Sequence, residues 1–136
     1  MAKKFNEIDI VVSAAVGGIL LSSGVAKELG VKGIFCERVD GNLVFKRGFI
    51  IPEESNVLIV EDIVTTGGSI KEIITLLKNQ NVNIVGICSL THRGEPIDFG
   101  YNYEPLVKID IDTWEEGMVP NWLSDIEVTK PGSTGK

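Results

Sequence analysis

The apolar and polar residues alternate with two different periodicities along the chain, one typical of β-strands and one typical of α-helices. Short apolar runs predict six β-strands, at 8–13, 32–38, 42–51, 56–60, 83–92 and 106–111. Apolar residues at helical spacing predict helices over 17–30 and 68–80. The turn signal at 39–41 joins the second and third strands in a β-hairpin. This order predicts an α/β fold in which helices flank a mostly parallel central sheet.

Length and composition narrow the class of protein. The 136 residues suit a single domain over 1–136, with a flexible tail at about 130–136. A net charge of −6 argues against a nucleic-acid partner, and no apolar stretch is long enough for a membrane span. The start of the chain has no apolar signal region, so we expect a cytoplasmic protein. Cys36 and Cys88 lie in apolar runs typical of buried, reduced thiols, and the single His92 argues against a zinc site.

The most informative stretch covers residues 56–70 and has the sequence NVLIVEDIVTTGGSI. Its apolar strand ends at Val60 and is followed by two acids, Glu61 and Asp62. A turn rich in hydroxyls and glycines then leads into the second helix. Because helix N-termini present unpaired N–H groups, such a turn suits a phosphate, whereas the carboxylates suit sugar hydroxyls. The stretch therefore predicts a site for a phosphorylated sugar; the alternative is an ordinary strand–turn–helix junction with solvated acids.

Two further features fall at the predicted carboxyl ends of strands, where ligands bind in such sheets. The segment SAAVGG, at 13–18, lies between the first strand and the first helix, and Arg93 follows the strand at 83–92. Small residues in such a loop either admit a ligand or only allow tight packing. An arginine fork suits a substrate carboxylate, but a solvated loop arginine is the alternative.

Residues 57–70 resemble the phosphoribosyl pyrophosphate (PRPP) motif of the type I phosphoribosyltransferases, in which an apolar strand, two acids and a Thr/Gly/Ser loop follow one another. The resemblance is closest to the orotate phosphoribosyltransferases and covers nearly the whole chain. Its other segments are DIVVSAAVGGILLSSGVAKELGV, IFCERVDGNLVFKRGF, SLTHRG and VTKPGS. It implies transfer of ribose 5-phosphate from PRPP to orotate, giving orotidine 5′-monophosphate and pyrophosphate in pyrimidine biosynthesis.

The resemblance also implies the roles of individual residues. Glu61 and Asp62 would hold the ribose hydroxyls, with Asp62 in the catalytic group. The 5′-phosphate would lie on Thr65, Thr66, Gly67, Gly68 and Ser69. The pyrophosphate would lie on Ala14, Ala15, Val16, Gly17 and Gly18. Orotate would contact Thr65 and Arg93. No direct protein ligand to metal is implied, because Mg²⁺ would be bound through PRPP and water.

Family enzymes also have a loop that closes over pyrophosphate and supplies basic residues, often from the partner subunit of a dimer. Here that loop would contain Arg38, Lys46 and Arg47, with Arg38 and Lys46 in the catalytic group. The commoner family pattern has an arginine–lysine pair followed by lysine and histidine, whereas Glu37 and Arg38 stand in that place here. Which base is catalytic therefore stays open, and a solvated hairpin with alternating charges is the alternative.

The resemblance leaves two questions open. Family enzymes have an N-terminal hood over the base. In this sequence the first predicted strand begins already at residue 8, so we expect a truncated form, a fragment or a natural short form. Orotate turnover would then be reduced, because the base would be poorly positioned and exposed to water. The alternatives are a non-catalytic PRPP- or nucleotide-binding module and a phosphoribosyltransferase for another base. A homodimer is expected.

Overall fold

The computed structural model describes residues 2–112, 114 and 117–126. Its centre is one six-stranded sheet. The strands are β1 (Ile10–Ala14), β2 (Lys32–Val39), β3 (Asn42–Phe45), β4 (Asn56–Val64), β5 (Asn83–Arg93) and β6 (Tyr103–Ile109). Within these residues three helices accompany the strands, α1 (Gly18–Leu29), α2 (Gly68–Lys78) and the short α3 (Asn121–Ser124), and a 3₁₀ helix covers Ala2–Lys4.

The sheet has the order β3-β2-β1-β4-β5-β6, and only β3 runs antiparallel to its neighbour. The predicted α/β architecture and its order of elements are confirmed. Because five strands run in one direction, their carboxyl ends lie along one edge of the sheet. The segments that follow β1, β4 and β5 therefore meet at this edge, which is where the sequence predicted a site.

The core lies on both faces of β4, whose apolar run of four residues from Val57 to Val60 is fully enclosed. One cluster lies on the α2 side of the sheet and includes Val12, Ile59 and Ile73. The other lies on the α1 side and includes Leu58 and Ala26. A parallel strand covered on both faces has no solvated side, which explains its continuous apolar sequence.

The predicted hairpin joins β2 and β3 through a two-residue turn. Asp40 and Gly41 both have positive φ, at 48° and 85°. This combination is typical of a type I′ turn, whose twist matches that of the strands it connects. The flexible-loop residues Arg38 and Lys46 therefore flank a tight hairpin, Arg38 in β2 and Lys46 directly after β3.

Several predicted boundaries were wrong. The third strand ends at Phe45 rather than 51, because residues 46–48 turn away with positive φ at Arg47 and Gly48. The fourth strand continues to Val64 rather than ending at Val60, because it keeps pairing with β5 as far as His92. The last predicted strand begins earlier, at Tyr103.

One smaller feature, the environment of the tryptophans, was not predicted correctly. The tryptophans Trp114 and Trp122 were expected to be packing residues, yet Trp122 is 69% exposed and its described aromatic partner is Trp114, at a centroid distance of 6.2 Å.

Cys36 and Cys88 are buried free thiols, as predicted, and burial raises their pKa values to about 11 and about 12. The predicted tail at 130–136 lies outside the described residues. None of the helices in the described part combines the length and apolar character needed to span a bilayer.

Candidate active site

The loop between β4 and α2 turns sharply at Gly67. Thr65 and Thr66 form a bend, and Gly67 precedes the helix with a φ of 73°. A Cβ at Gly67 would lie 2.6 Å from the Phe99 ring, which packs here from the β5–β6 connection. Both the backbone conformation and the lack of space therefore require glycine. Local sequence pattern carried no signal for the Phe99 contact, because it joins distant parts of the chain.

The first turn of α2 offers unpaired donors beside this loop. Its first intrahelical bond is donated by Lys71 N–H to Gly67 O, at 3.0 Å. The preceding N–H groups, of Gly68, Ser69 and Ile70, therefore have no intrahelical acceptor, and no described side chain caps the helix. The Thr65, Thr66 and Ser69 side chains lie exposed around them. Such an arrangement attracts an anion, since the helix dipole adds positive potential at this end.

A cavity of about 250 Å³ connects these donors to the acidic end of β4. Its lining includes the phosphate-loop residues predicted from the sequence together with two carboxyl side chains, Glu61 and Glu72. The structure thus brings the predicted phosphate loop and one predicted ribose-binding acid into one concave site. Glu72 is a lining residue that the sequence pattern did not single out.

The two adjacent acids differ in environment. Glu61 is only 6% exposed, and its Oε1 accepts the Asp62 N–H at 3.1 Å. Burial raises the pKa of Glu61 to about 8, and the neighbouring Asp62 carboxylate adds to the rise. Asp62 is half-buried, and its Oδ1 accepts the Ile63 N–H at 2.9 Å. The acids therefore lie within the extended β4, rather than after it as the sequence predicted.

The second predicted loop lies directly against these acids. A Cβ at Gly17 would overlap the Asp62 carboxylate, whose Cγ would be 2.8 Å away. A Cβ at Gly18 would lie 3.2 Å from Glu61 Oε1. Ala14 ends β1 and Gly18 begins α1, while the Ala15–Val16 peptide bond is cis. The glycines of this loop thus allow β1–α1 and β4–α2 to form one continuous site.

Arg93 is the last residue of β5, one residue inside a strand that the sequence predicted to end at 92. Arg93 pairs with Ile109 of β6, and the residue before it, His92, pairs with Val64, so Arg93 lies beside the start of the predicted phosphate loop. His92 is buried, with Nδ1 at 3.0 Å from the Tyr103 hydroxyl and Nε2 at 2.9 Å from the Glu95 carbonyl. A proton on Nε2 satisfies both contacts, because Glu95 O can only accept. These bonds hold the turn that follows Arg93.

The three basic residues of the hairpin have different surroundings. Arg38 donates to Glu72 Oε1 of α2, at 2.9 Å, and to Gly41 O. Arg47 donates to Glu37 Oε1 at 2.8 Å and lies over the Phe35 ring, 5.7 Å from its centroid. Lys46 is exposed and has no salt-bridge partner among the described residues. Of the three, Arg38 is bonded to a residue that lines the 250 Å³ cavity.

Solved structures share this fold. Adenine phosphoribosyltransferase from Thermoanaerobacter pseudethanolicus matches with a TM-score of 0.65 at 20% identity, over 75% of this chain and 70% of that one. Purine phosphoribosyltransferase from Pyrococcus horikoshii matches with a TM-score of 0.63 at 18% identity, over 88% and 87% of the two chains. At these identities the similarity concerns the fold alone.

Sequence comparisons give the family. The phosphoribosyl transferase domain matches residues 1–120. The chain is 41% identical over 136 residues to orotate phosphoribosyltransferase from Caldanaerobacter subterraneus subsp. tengcongensis, covering 98% of this chain and 72% of that protein. It is 40% identical to orotate phosphoribosyltransferase from Thermotoga maritima, again over 136 residues, covering 99% and 72% of the two chains. The chain therefore belongs to the phosphoribosyltransferase family and, within it, to the orotate phosphoribosyltransferases.

Proposed function

We propose that this protein transfers ribose 5-phosphate from PRPP to N1 of orotate, producing orotidine 5′-monophosphate and pyrophosphate. The observation that carries the proposal is the 250 Å³ cavity, which has unpaired N–H groups at its helix end and Glu61 at its strand end. A ribose 5-phosphate group has the same polarity, with an anion at one end and hydroxyls at the other. One ligand therefore satisfies both chemistries of the site.

The ribose end would be held by the acids. Asp62 is half-buried, so its carboxylate can accept hydrogen bonds from the two vicinal hydroxyls while it still accepts the Ile63 N–H. Glu61, whose pKa is raised by burial to about 8, can also donate a proton to an oxygen at neutral pH. The acids orient the sugar, and neither needs to act as a nucleophile.

The leaving group would lie over the loop between β1 and α1. In the reaction the bond between C1′ and the pyrophosphate oxygen breaks, and its electron pair leaves with pyrophosphate. The new bond forms between C1′ and orotate N1, which enters as the deprotonated, anionic nitrogen. Backbone N–H groups of residues 16–18 would stabilise the departing charge, since the Ala15 N–H already donates to the Cys36 carbonyl at 2.8 Å. The proximity of Gly17 to Asp62 keeps this loop next to the sugar.

The site suits Mg²⁺ that arrives with the substrate. Within the described residues no three His, Cys, Asp or Glu side chains lie close enough to form a metal site of their own. The half-buried Asp62 carboxylate fits the outer shell of a hydrated ion bound to PRPP. When bound, Mg²⁺ would supply positive charge to the pyrophosphate.

Orotate would be positioned by Arg93 and Thr65. Arg93 is half-buried at the end of β5, next to the loop that starts with Thr65. A guanidinium offers two parallel N–H groups, which match the carboxylate that distinguishes orotate from other pyrimidines. Arg93 has no salt-bridge partner in the described part of the chain, so its charge is not already neutralised by a protein carboxylate.

We also infer that the protein acts as a homodimer. Val16, in the loop before α1, is 83% exposed, and Leu20, in the first turn of α1, is 86% exposed. Exposed apolar side chains beside a site are typical of surfaces that another chain covers. Light scattering tests this inference, which a monomer at assay concentrations would contradict. A cytoplasmic location stays a prediction from the sequence.

The decisive experiment combines turnover with binding. The chain is incubated with PRPP, Mg²⁺ and orotate, and loss of orotate absorbance is followed while orotidine 5′-monophosphate is identified by chromatography. Titration calorimetry with PRPP and Mg²⁺ is performed on the same preparation. We expect turnover with orotate and none with adenine, hypoxanthine or uracil, because these bases lack the carboxylate.

Each other outcome identifies an alternative. Binding of PRPP without turnover of any base would indicate a non-catalytic binding module. Turnover with another base in place of orotate would indicate a phosphoribosyltransferase of different specificity. Absence of both binding and turnover would contradict the assignment of the cavity.

A further inference from the structure

The phosphate end of the proposed site has an electrostatic problem. Its cavity is lined by two carboxyl side chains, Glu61 and Glu72, and among the residues that the structure describes no lysine or arginine contributes to the lining. A phosphate dianion close to two ionised carboxylates would be repelled, because like charges a few ångströms apart disfavour each other strongly in a partly buried site. The site must therefore reduce the negative charge of both groups.

The first carboxyl group, Glu61, is largely protonated at neutral pH. Its 6% exposure deprives the ionised form of water, which raises the pKa to about 8. Glu72, the second carboxyl side chain of the lining, forms an ion pair with Arg38. Glu72 lies in α2, one turn after the N–H groups of Gly68 and Ser69 that would bind the phosphate.

Arg38 provides the compensation at Glu72. Its Nη2 donates to Glu72 Oε1 at 2.9 Å, while Nη1 donates to the Gly41 carbonyl. The second bond anchors the guanidinium to the hairpin turn, so two elements hold it at the rim of the cavity. The Glu72 carboxylate raises the pKa of Arg38, which keeps the guanidinium ionised throughout the working pH range.

Arg47, the other arginine of the hairpin, is engaged elsewhere. It is bonded to Glu37 at 2.8 Å and lies over the Phe35 ring. Neither of these partners lines the phosphate cavity. An arginine of the hairpin therefore does not reach the cavity simply by belonging to the hairpin. Arg38 is held there by its bonds to Glu72 and Gly41.

We propose that Glu72 and Arg38 form a charge-compensating pair that sets the affinity of the phosphate end: Arg38 neutralises Glu72, and without it Glu72 repels the 5′-phosphate. This inference rests on the proposed function. It makes Glu72 a determinant of substrate affinity, and it gives Arg38 a role at the 5′-phosphate rather than at the pyrophosphate.

The test measures binding of ribose 5-phosphate and, separately, of Mg²⁺-pyrophosphate by calorimetry. Four proteins are compared, the unmodified chain, Arg38→Ala, Glu72→Gln and the double variant. Lys4→Ala serves as a matched control, because Lys4 forms a similar exposed ion pair with Glu104 at 2.6 Å and precedes β1, at the opposite edge of the sheet. Circular dichroism and melting temperature establish that each variant is folded.

We expect Arg38→Ala to weaken ribose 5-phosphate binding about tenfold, since an uncompensated carboxylate then faces the dianion. Glu72→Gln should bind at least as tightly as the unmodified chain. The double variant should recover to within about threefold of the unmodified chain, because the repelling charge is gone. Lys4→Ala should bind normally. The Arg38→Ala deficit should also shrink in high salt.

Two results would overturn the inference. One is an Arg38→Ala deficit that is equally large with and without Glu72, which would mean that the two residues act independently. The other is a deficit confined to pyrophosphate, which would place Arg38 at the leaving group. If the unmodified chain bound no ribose 5-phosphate at all, the proposed function itself would fail, so the two failures are distinguishable.

Discussion

In this site, the surroundings of a residue determine its chemistry more than its residue type does. Glu61 and Asp62 are neighbours in the chain, yet Glu61 is enclosed whereas Asp62 reaches the solvent-exposed edge beside Gly17. The sequence identified both acids as site residues. It could not indicate their different environments, because these depend on the extension of β4 and on the packing of Gly18 above Glu61.

The buried carboxyl group predicts a pH dependence of stability. The pKa of Glu61 is about 8 in the folded chain against an ordinary value of 4.5, so the folded state binds more protons between these values. The free energy of unfolding should therefore fall as pH rises from about 4.5 to 8, by roughly 2 to 4 kcal/mol. Urea titrations across this range measure the slope.

The substitution Glu61→Gln isolates this effect, because glutamine has the same shape and does not titrate. We expect the free energy of unfolding of the variant to depend less on pH over the same interval. An identical slope in both proteins would assign the pH dependence to other groups.

A second residue prediction concerns the ribose. Asp62→Asn should weaken PRPP binding by about 1.5 to 3 kcal/mol, because hydrogen bonds to a charged acceptor contribute this much. Calorimetry with PRPP and Mg²⁺ provides the measurement. The matched control is Asp9→Asn, whose carboxylate also accepts a backbone N–H, from Asn56 at 2.8 Å, before the start of β1. Equal affinity for the Asp62 variant and the unmodified chain would contradict the assignment.

At the scale of elements, the sequence pattern predicted every main strand and helix, together with the hairpin. Three signals were sufficient for this: the alternating strand and helix periodicities, Gly30 after α1, and the Asp40–Gly41 turn. Boundaries failed where tertiary pairing prevailed, as in β4, whose pairing with β5 continues beyond the apolar run. The pairing of Arg38 with Glu72 was equally invisible, since it joins β2 to α2 across 34 residues.

The start of α2 provides a prediction at this scale. Gly67→Ala should destabilise the chain by about 1 to 3 kcal/mol, because the new Cβ meets the Phe99 ring and the left-handed conformation is disfavoured. It should also weaken ribose 5-phosphate binding, since the phosphate loop must shift. Chemical denaturation and calorimetry test the two effects.

Gly24→Ala is the control, because a Cβ at Gly24 meets no atom within 4 Å inside α1. That substitution should stabilise the helix by about 0.5 to 1 kcal/mol. Similar effects of the two changes would show that Gly67 has no special role.

At the scale of the whole molecule, sheet topology assembles the site. The order β2-β1-β4-β5 brings the hairpin, the loop at 14–18, the acids and Arg93 to one edge, although they lie far apart in the chain. The rule that parallel strands present ligand sites at their carboxyl ends made this edge predictable. The helix-capping geometry and side-chain contacts within it required the structure.

Ligand binding at this edge should stabilise the entire fold, because its parts come from β1, β2, β4 and β5. Saturation with PRPP and Mg²⁺ at about 100 times the dissociation constant should add about 2.7 kcal/mol. For a chain of this size we expect a rise in melting temperature of about 8 °C. Differential scanning calorimetry tests this, and an unchanged melting temperature under saturating conditions would contradict the assembly of the site from these strands.

The most direct measurement is a crystal structure of the chain with ribose 5-phosphate. We expect the phosphate within hydrogen-bonding distance of the N–H groups of Gly68, Ser69 and Ile70, and the ribose hydroxyls at Glu61 and Asp62. A sugar phosphate bound at another place, or bound here with its hydroxyls directed at the helix and its phosphate at the acids, would contradict the account.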